Sequence, residues 1–188
     1  MPKEQSKELK KEKAPLIVQK EDPVLREKAK EVPVALISTK EIKDLIVTMR
    51  KALASQKDGV AIAAPQVGVS LRIFVVSGYL LSLADKTYTG PAEDLIFINP
   101  VILRRSKEKA EVEEGCLSVR WLYGTISRSA RVTLRAYDEN GNKIQRGASG
   151  LLAQIFQHET DHLEGTLFTD HADEVWEMSA EEIAELQN

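Results

Sequence analysis

Residues 149–164, SGLLAQIFQHETDHLE, carry apolar side chains at the spacing of an amphipathic helix. At about 100° per residue, Leu151 and Ile155 lie on one stripe of that helix. His158 and His162 fall on the same stripe, within about 40° of each other. We therefore predict a helix over residues 149–164 whose two imidazole side chains point toward the interior of the domain.

The same helix carries the HExxH pattern, His158-Glu159-Thr160-Asp161-His162. Neutral imidazole nitrogens one helical turn apart bind a divalent metal ion, and the glutamate beside the first histidine reaches a water on that ion as a general base. The alternative is a helix whose two histidines only pack in the core. The pattern favours a metal site with His158 and His162 as ligands and Glu159 as the base.

The HExxH pattern leaves the third protein ligand open. In thermolysin-like peptidases a downstream glutamate completes the site, and Glu174 and Glu177 are available for that role. The longer metzincin pattern places its third histidine at the position of Phe168, which cannot bind a metal. Cys116 is the remaining soft ligand, and it is the single cysteine of the chain.

Capping boxes mark the start of two more helices. Ser38 and Glu41 form the first, and apolar residues recur behind it at helical spacing until Gly59. Ser179 and Glu182 form the second, close to the end of the chain. We predict one N-terminal helix and a short acidic C-terminal helix.

Strand signals occupy the middle of the chain. Residues 71–76, 95–98 and 131–137 are rich in β-branched or alternating apolar side chains, and a return strand through Ile144 follows the turn at residues 138–141. The order of helix, several strands and helix predicts an α+β fold rather than alternating βαβ units. We expect antiparallel strands packed around a central HExxH-bearing helix.

Length and composition indicate one compact domain suited to a reducing compartment. The chain has 188 residues, of which 43% are hydrophobic and 29% charged, and this excludes general disorder. A net charge of −3 argues against a DNA-binding surface that covers the whole domain. The single cysteine excludes an intramolecular disulfide. No apolar run reaches the roughly 18 residues of a membrane-spanning helix.

The two ends of the chain differ from its middle. Residues 1–13 are rich in lysine and glutamate, which predicts a flexible charged tail without a signal or transit peptide. Residues 171–188 are acidic and contain no lysine or arginine. Between them we expect a catalytic domain at residues 14–170, in a cytoplasmic, monomeric protein that binds neither DNA nor a membrane.

Three separated segments resemble the motifs of the peptide deformylase family, in the family's order. GVAIAAPQ at residues 59–66 resembles GxGφAAxQ, EGCLS at residues 114–118 is identical to the second motif, and QHETDHLEG at residues 157–165 resembles QHExDHxxG. The segment EDPVLREKAKEV at residues 21–32 is also similar to the family's start. The resemblance runs from about residue 16 to residue 170.

The resemblance implies a hydrolase that removes the N-formyl group from the initiator methionine of new polypeptides and releases formate. It implies that Cys116, His158 and His162 are the three metal ligands. It also implies that Glu159 is the general base. The Gln66 side chain and the Leu117 backbone N–H are the implied donors to the oxyanion. Three protein ligands leave a fourth position open, as in catalytic sites. The implied cofactor is one divalent metal ion per chain, Fe(II) in this family, although Zn(II) or another divalent ion suits the same ligands.

The substrate methionine needs an apolar slot beside the metal ion. We expect Leu151 and Ile155 from the helix stripe to line it, together with Val112 from the strand that enters EGCLS. The peptide is expected to add as an extended strand where no long side chain blocks it, along Gly59, Val60 and Ala61.

Three departures from the family pattern bear on substrate range. Ala61 stands where the family has its second glycine, and Arg120-Trp121 follows Val119 where many relatives have proline. Residues 77–94 are longer than a simple strand connection and predict a flap or lid.

Two other classes of function remain open from the sequence. The first is an HExxH metallopeptidase that cuts peptide bonds, with Glu174 or Glu177 as the third ligand. The second is a deformylase-like protein that binds nascent chains or the ribosome surface without turnover. Replacement of Cys116 tests the first, because a site completed by glutamate does not need the thiolate. Formate release from a formyl-methionyl peptide tests the second.

Overall fold

The computed structural model describes residues 16–187, which form two antiparallel β-sheets and four α-helices. In chain order the elements are α1 (Lys40–Ala54), β1 (Ala61–Ala63), β2 (Ile73–Val76), α2 (Gly78–Ala84), β3 (Leu95–Arg105), β4 (Lys109–Cys116), β5 (Val119–Ser129), β6 (Arg131–Tyr137), β7 (Lys143–Ser149), α3 (Gly150–Leu163), β8 (Glu174–Glu177) and α4 (Ala180–Gln187). The tail predicted at residues 1–13 lies outside the described residues.

The larger sheet has five strands in the order β1-β2-β3-β6-β7, and β2 lies within it with all four residues buried. Phe74 and Val76 face one hydrophobic cluster, whereas Ile73 and Val75 face another. Because alternate side chains of a strand point to opposite faces, a fully apolar strand belongs where both faces of a sheet are covered.

The two long helices cover this sheet. On the α3 side, the ring of Phe156 packs against Phe74 and Phe97, with ring centroids 6.0 and 5.0 Å apart. On the opposite side, α1 buries Ile46 and Met49 in the second cluster. Burial of these side chains is the main force that holds both helices on the sheet.

The smaller sheet has the order β4-β5-β8 and contains a long hairpin of β4 and β5. β8 pairs with β5 and leads into α4. The predicted capping box of α4 is confirmed, because the Ser179 N–H donates to Glu182 Oε2 at 2.8 Å and the Glu182 N–H donates to Ser179 Oγ at 3.3 Å.

The mixed α and β fold with antiparallel sheets is confirmed, but the description of a central HExxH-bearing helix is not. α3 follows seven of the eight strands of the described residues and lies toward the C-terminal end of the chain. It packs against strands of both sheets.

The predicted start and end of α1 are wrong. The helix is capped by Thr39, without a side-chain hydrogen bond, and ends at Ala54. The Thr39 N–H donates to Leu36 O at 3.0 Å, so Ser38 lies in the turn that follows the 3-10 helix at Val34–Leu36, one residue before the cap of α1. The helix therefore stops well before Gly59.

The segment at residues 77–94 contains α2 and is anchored to the core. Leu81 is fully buried in the cluster beneath α3, and Ser77 Oγ accepts from the Leu80 N–H at 3.3 Å. Tyr79, on the same helix, is exposed. No helix among residues 16–187 has the length and apolar character needed to cross a membrane.

Candidate metal centre

The hairpin of β4 and β5 and the helix α3 bring one thiol and two imidazoles together. Cys116 is the last residue of β4, and His158 and His162 lie one turn apart on α3. One ligand atom from each of the three lies within 4.8 Å of the others, and Cys116 Sγ is 3.2 Å from His162 Nε2. The sequence predicted the two histidines from spacing and left the third ligand open between Cys116, Glu174 and Glu177, and the family resemblance favoured the cysteine.

The close packing of β4 against β5 positions Cys116 next to α3. The register of the hairpin shifts between Gly115 and Cys116, so that Cys116 pairs with Val119 across a short turn. A β-carbon at Gly115 would lie 2.6 Å from Cε1 of Tyr123, which is too close for any side chain. Glycine at position 115 therefore lets the strand deliver the thiol to α3.

The donor set fits a divalent metal ion. A thiolate and two imidazole nitrogens are the usual partners of Zn(II) and Fe(II), and three protein ligands leave a position free for substrate. His158 Nδ1 lies 2.8 Å from Glu114 Oε2, which orients the ring and leaves Nε2 toward the other two ligand atoms. This arrangement is typical of histidines that bind a metal through Nε2.

An ion pair buried beneath the site supports Glu114. Arg128 donates from Nε to Glu114 Oε1 at 2.8 Å and from Nη2 to Glu114 Oε2 at 2.9 Å. Its remaining nitrogen, Nη1, donates to Asp161 Oδ2 on α3 at 2.6 Å. Burial by itself raises the pKa of Glu114, but the hydrogen bonds from Arg128 and His158 outweigh it and lower the pKa to about 2. Glu114 therefore stays ionised.

Charge partners also favour the thiolate of Cys116. Burial alone raises the pKa of this thiol, but the positive charge and hydrogen bonds of His162 and His158 lower it to about 5. The same contacts raise the pKa of His158 well above its usual value, since Cys116 and Glu114 together outweigh the opposing effect of burial. The cluster thus stabilises a thiolate, which is the form of cysteine that binds metals.

Glu159 lies on α3 between the two histidines and is 4% exposed. Burial raises the pKa of its carboxyl group to about 7. Oε2 of Glu159 is buried without a hydrogen-bond partner among residues 16–187. A buried carboxyl group with a pKa near neutrality and one unpaired oxygen is suited to accept and return a proton.

Gln66 and Leu117 flank the thiol of Cys116. The Gln66 side chain is held by the Ala63 N–H, which donates to Oε1 at 2.8 Å, and its Nε2 donates to Ser118 Oγ at 3.2 Å and to Cys116 Sγ at 3.5 Å. Leu117 lies in the turn between β4 and β5, next to the cysteine. Both residues line the pocket that opens beside the cluster.

That pocket has a volume of about 200 Å³ and brings together most of the predicted substrate residues. Gly59, Val60 and Ala61 form one wall, and Leu151 and Ile155 of α3 form another. β1, which begins at Ala61, is an edge strand of the larger sheet.

Three residues considered from the sequence lie elsewhere. Val112 is part-buried on β4, two residues before Glu114, and does not line the pocket. Glu174 and Glu177 are exposed on β8 and do not belong to the cluster of candidate ligands in the described chain. The alternative third ligands of a metallopeptidase are therefore not at the site.

Sequence reasoning missed the roles that Glu114, Arg128 and Ser118 have in the site. Glu114 offered one signal, because it lies two residues before Cys116 and thus on the same face of a strand. Arg128 offered no signal, since its contact with Glu114 depends on the register of the hairpin.

The fold and the site together define a hydrolase class in which an HExxH helix faces a cysteine at the end of a β-hairpin. A family model described as polypeptide deformylase matches residues 15–177. The chain belongs to the polypeptide deformylase family.

Individual relatives agree with this assignment. A peptide deformylase of Pseudothermotoga lettingae is 41% identical over 150 residues, which cover 79% of this chain and 77% of that protein. Peptide deformylase 1A of Arabidopsis thaliana, chloroplastic or mitochondrial, is 40% identical over 163 residues. That alignment covers 83% of this chain but 60% of the length of the plant protein.

A solved structure has a similar fold. A peptide deformylase of Acinetobacter baumannii bound to Met-Ala-Ser superposes with a TM-score of 0.75 and 29% identity, over 85% of this chain and all of that chain (100%). The predicted family and the predicted enzyme class are confirmed.

Proposed function

We propose that this protein removes the N-formyl group from the N-terminal methionine of newly synthesised polypeptides and releases formate. One observation carries the proposal: Cys116, His158 and His162 converge beside a buried Glu159 at a pocket whose lining includes Ala61, the first residue of the edge strand β1. Membership of the polypeptide deformylase family supports the same reaction.

Cys116, His158 and His162 would hold one divalent metal ion per chain. When bound, the ion supplies a Lewis acid that polarises the formyl carbonyl and lowers the pKa of water. We assign Fe(II) as the metal ion because the family resemblance implies it. Zn(II) or another divalent ion can substitute, since thiolate and imidazole ligands accept each of them. Glu114 and Arg128 hold the ring of His158 in place for this role.

Glu159 is proposed as the general base and acid. Its unpaired Oε2 accepts a proton from the water that attacks the formyl carbon. The pKa of about 7, raised by burial, lets the protonated carboxyl group then give the proton to the leaving amine. The products are formate and a free amino terminus.

Gln66 and Leu117 are proposed to stabilise the negative charge that develops on the formyl oxygen. Gln66 Nε2 is a donor fixed beside Cys116, and the Leu117 backbone N–H is the second donor. Donors placed before the reaction are worth about 3 kcal/mol each in comparable sites, because they need no reorganisation.

The substrate methionine is proposed to enter the apolar part of the pocket formed by Leu151, Ile155 and Val60. The peptide backbone then extends along Gly59 and Ala61 as an added strand on the open edge of β1. A β-carbon at Gly59 would lie 2.8 Å from Leu117 Cδ1, so glycine keeps this wall close to the site.

We also propose domain boundaries, an oligomeric state, a location and partners for this protein. Residues 14–170 form the catalytic domain, residues 171–188 form an acidic end, and α3 acts as the central support of the site. The protein is monomeric and cytoplasmic, and its partners are N-formyl-methionyl nascent chains at or near the ribosome surface.

The test is formate release from formyl-Met-Ala-Ser by protein purified without oxygen and assayed for iron and zinc. Acetyl-Met-Ala-Ser is the matched control, because it differs from the substrate only by a methyl group in place of the formyl hydrogen on the reacting carbon. We expect formate from the first peptide and little acetate from the second. Metal-loaded protein that releases no formate would overturn the proposal, and cleavage between the amino acids would indicate a metallopeptidase instead.

A further inference from the structure

One half of the larger sheet has a face that no helix covers. On β6, Val132 and Leu134 are buried in the cluster beneath α3, whereas Arg131 and Arg135 point the other way and are exposed. Every second residue of β7 from position 143 to position 149 is exposed as well. We call this surface the open face. It comprises the outward side chains at positions 101, 103 and 104 of β3, at the odd positions 131–137 of β6 and at the odd positions 143–149 of β7. Because it lies on the side of the sheet opposite α3, it is separate from the candidate metal centre.

Three cations form a diagonal line across the open face. Arg104 on β3 pairs with Thr133, and Lys143 on β7 pairs with Tyr137. Arg135 lies midway between these two partners on β6. Residues that are directly opposite in an antiparallel pair share a face of the sheet. Each step along the line therefore covers two residues of strand and one strand spacing, which places the three positions about 8 Å apart.

The positive charge of this line is not neutralised by neighbouring carboxylates. The three cations are exposed, and none has an ion-pair partner among residues 16–187. A fourth cation of the open face, Arg131, pairs with Glu108 at 2.8 Å. Glu139, in the turn between β6 and β7, lies 3.8 Å from Arg50 of α1, and Glu31 is the acidic residue in the hollow beside Lys143. Since the whole chain has a net charge of −3, the surplus of positive charge on the open face is local and favours an anionic partner.

The side chains between the cations favour RNA among anionic partners. Val101 and Leu103 are 39% and 41% exposed on β3, where they offer a flat apolar surface to nucleobases. Thr133 and Gln145 carry a hydroxyl and an amide beside the cations, and such groups form hydrogen bonds with a ribose 2′-hydroxyl. A membrane surface would require a strongly apolar projection that inserts between lipids, and two side chains in a sheet do not provide one.

We propose that the open face binds single-stranded RNA in an extended conformation, with Arg104, Arg135 and Lys143 on neighbouring phosphates. Guanidinium and ammonium groups on long side chains adjust to the repeat of the RNA backbone, and arginine binds phosphate with two parallel hydrogen bonds. This inference goes beyond the proposed deformylase function. Because the peptide pocket lies beside α3, RNA and a formyl peptide bind to different surfaces and do not compete.

The test measures binding of the full chain to a fluorescein-labelled oligouridine by fluorescence anisotropy. Three phosphate contacts predict that the Kd rises about 20-fold when the KCl concentration is raised from about 50 to about 200 mM. The triple variant Arg104→Gln/Arg135→Gln/Lys143→Gln should bind at least about 10-fold more weakly at the lower salt concentration and lose most of this salt dependence. A deoxyuridine oligonucleotide of the same length should bind the unchanged protein about fivefold more weakly, since it lacks the 2′-hydroxyl groups.

The matched control is Lys20→Gln/Lys43→Gln/Lys86→Gln, which removes three exposed positive charges outside the open face and should leave the Kd for oligouridine unchanged. Melting temperatures of both triple variants verify that they fold. An equal loss in both variants, no loss in the open-face variant, or equal affinity for the deoxyuridine oligonucleotide would overturn the inference. Binding to phosphatidylserine vesicles through the same three cations, without binding to oligouridine, would also overturn it. Formate release from formyl-Met-Ala-Ser tests the proposed function separately, because the open face does not contact the peptide pocket.

Discussion

Glu114 and Arg128 form a two-point ion pair beneath the candidate metal site, with their side chains 2% and 9% exposed. The same Glu114 carboxylate contacts His158 Nδ1 at 2.8 Å. The buried carboxylate of Glu114 thus neutralises the guanidinium of Arg128 on β5 and orients the imidazole of His158 on α3. Stability and metal binding are therefore coupled through a residue that does not itself touch the metal position.

The first prediction concerns Glu114→Ala. The change leaves Arg128 and His158 without their shared partner, so we expect a loss of about 3–5 kcal/mol in the free energy of unfolding. Affinity for Zn(II) should fall about 10- to 100-fold because His158 loses its orientation. Urea unfolding and metal titration measure the two effects. Glu113→Ala, one residue earlier and exposed, is the control and should change neither. Equal behaviour of the two variants would refute the role of Glu114.

The second prediction concerns Glu159→Gln. Glutamine keeps the size of the side chain but cannot accept the proton of water, so formate release should fall by about 10²- to 10⁴-fold. Metal content, measured by elemental analysis, should remain the same. Loss of the metal would make Glu159 a ligand, and an unchanged rate would place the base elsewhere.

The third prediction separates the candidate ligands. Cys116→Ser replaces a thiolate by a hydroxyl group that stays protonated near neutral pH, so the purified protein should retain less iron or zinc. Glu174→Gln and Glu177→Gln should retain a full complement, since both side chains are exposed on β8. Full metal content in Cys116→Ser together with metal loss in Glu174→Gln or Glu177→Gln would support a metallopeptidase site instead. Metal analysis of the three variants, purified together, decides between them.

A fourth prediction concerns strain at Trp121. Trp121→Gly and Trp121→Ala remove the same ring, but alanine remains in the left-handed region at a cost that glycine avoids. We expect the glycine variant to be more stable than the alanine variant by about 1 kcal/mol, as measured by thermal unfolding. An alanine variant of equal or greater stability would show that the backbone at this position relaxes.

The fifth prediction concerns acid stability at Asp170. Burial alone raises the pKa of this carboxyl group, but the hydrogen bonds from Arg26 and from the Leu167 N–H outweigh it and lower the pKa below 3.8. A lowered pKa in the folded state stabilises the protein above pH 3.8, and this contribution disappears as the pH falls through the lower folded-state pKa. The melting temperature of Asp170→Asn should therefore lie below that of the unchanged protein at pH 7. The gap should close in strong acid, and a gap that is independent of pH would contradict the assignment.

Local patterns accounted for much of what could be predicted. The strand at residues 131–137 was predicted with its observed bounds, and the capping box of α4 was correct, because alternation and capping depend on neighbours in sequence. β5 and the second half of β3 were missed. The second half of β3 is mostly exposed, and β5 contains many polar residues although only one of its residues is exposed. Hydrogen bonds to other strands determine the conformation of both.

The sequence by itself determined the HExxH helix, the two inward histidines, the position of Glu159 between them and the family, since each follows from helical periodicity or from a short motif. The tertiary structure alone decided that Cys116 lies against His162 across 46 residues and that Arg128 supports Glu114. It also decided that Trp121 faces the pocket with a positive φ. These relationships depend on hairpin register and on burial, which set distances and the local dielectric, and neither can be read from neighbouring residues.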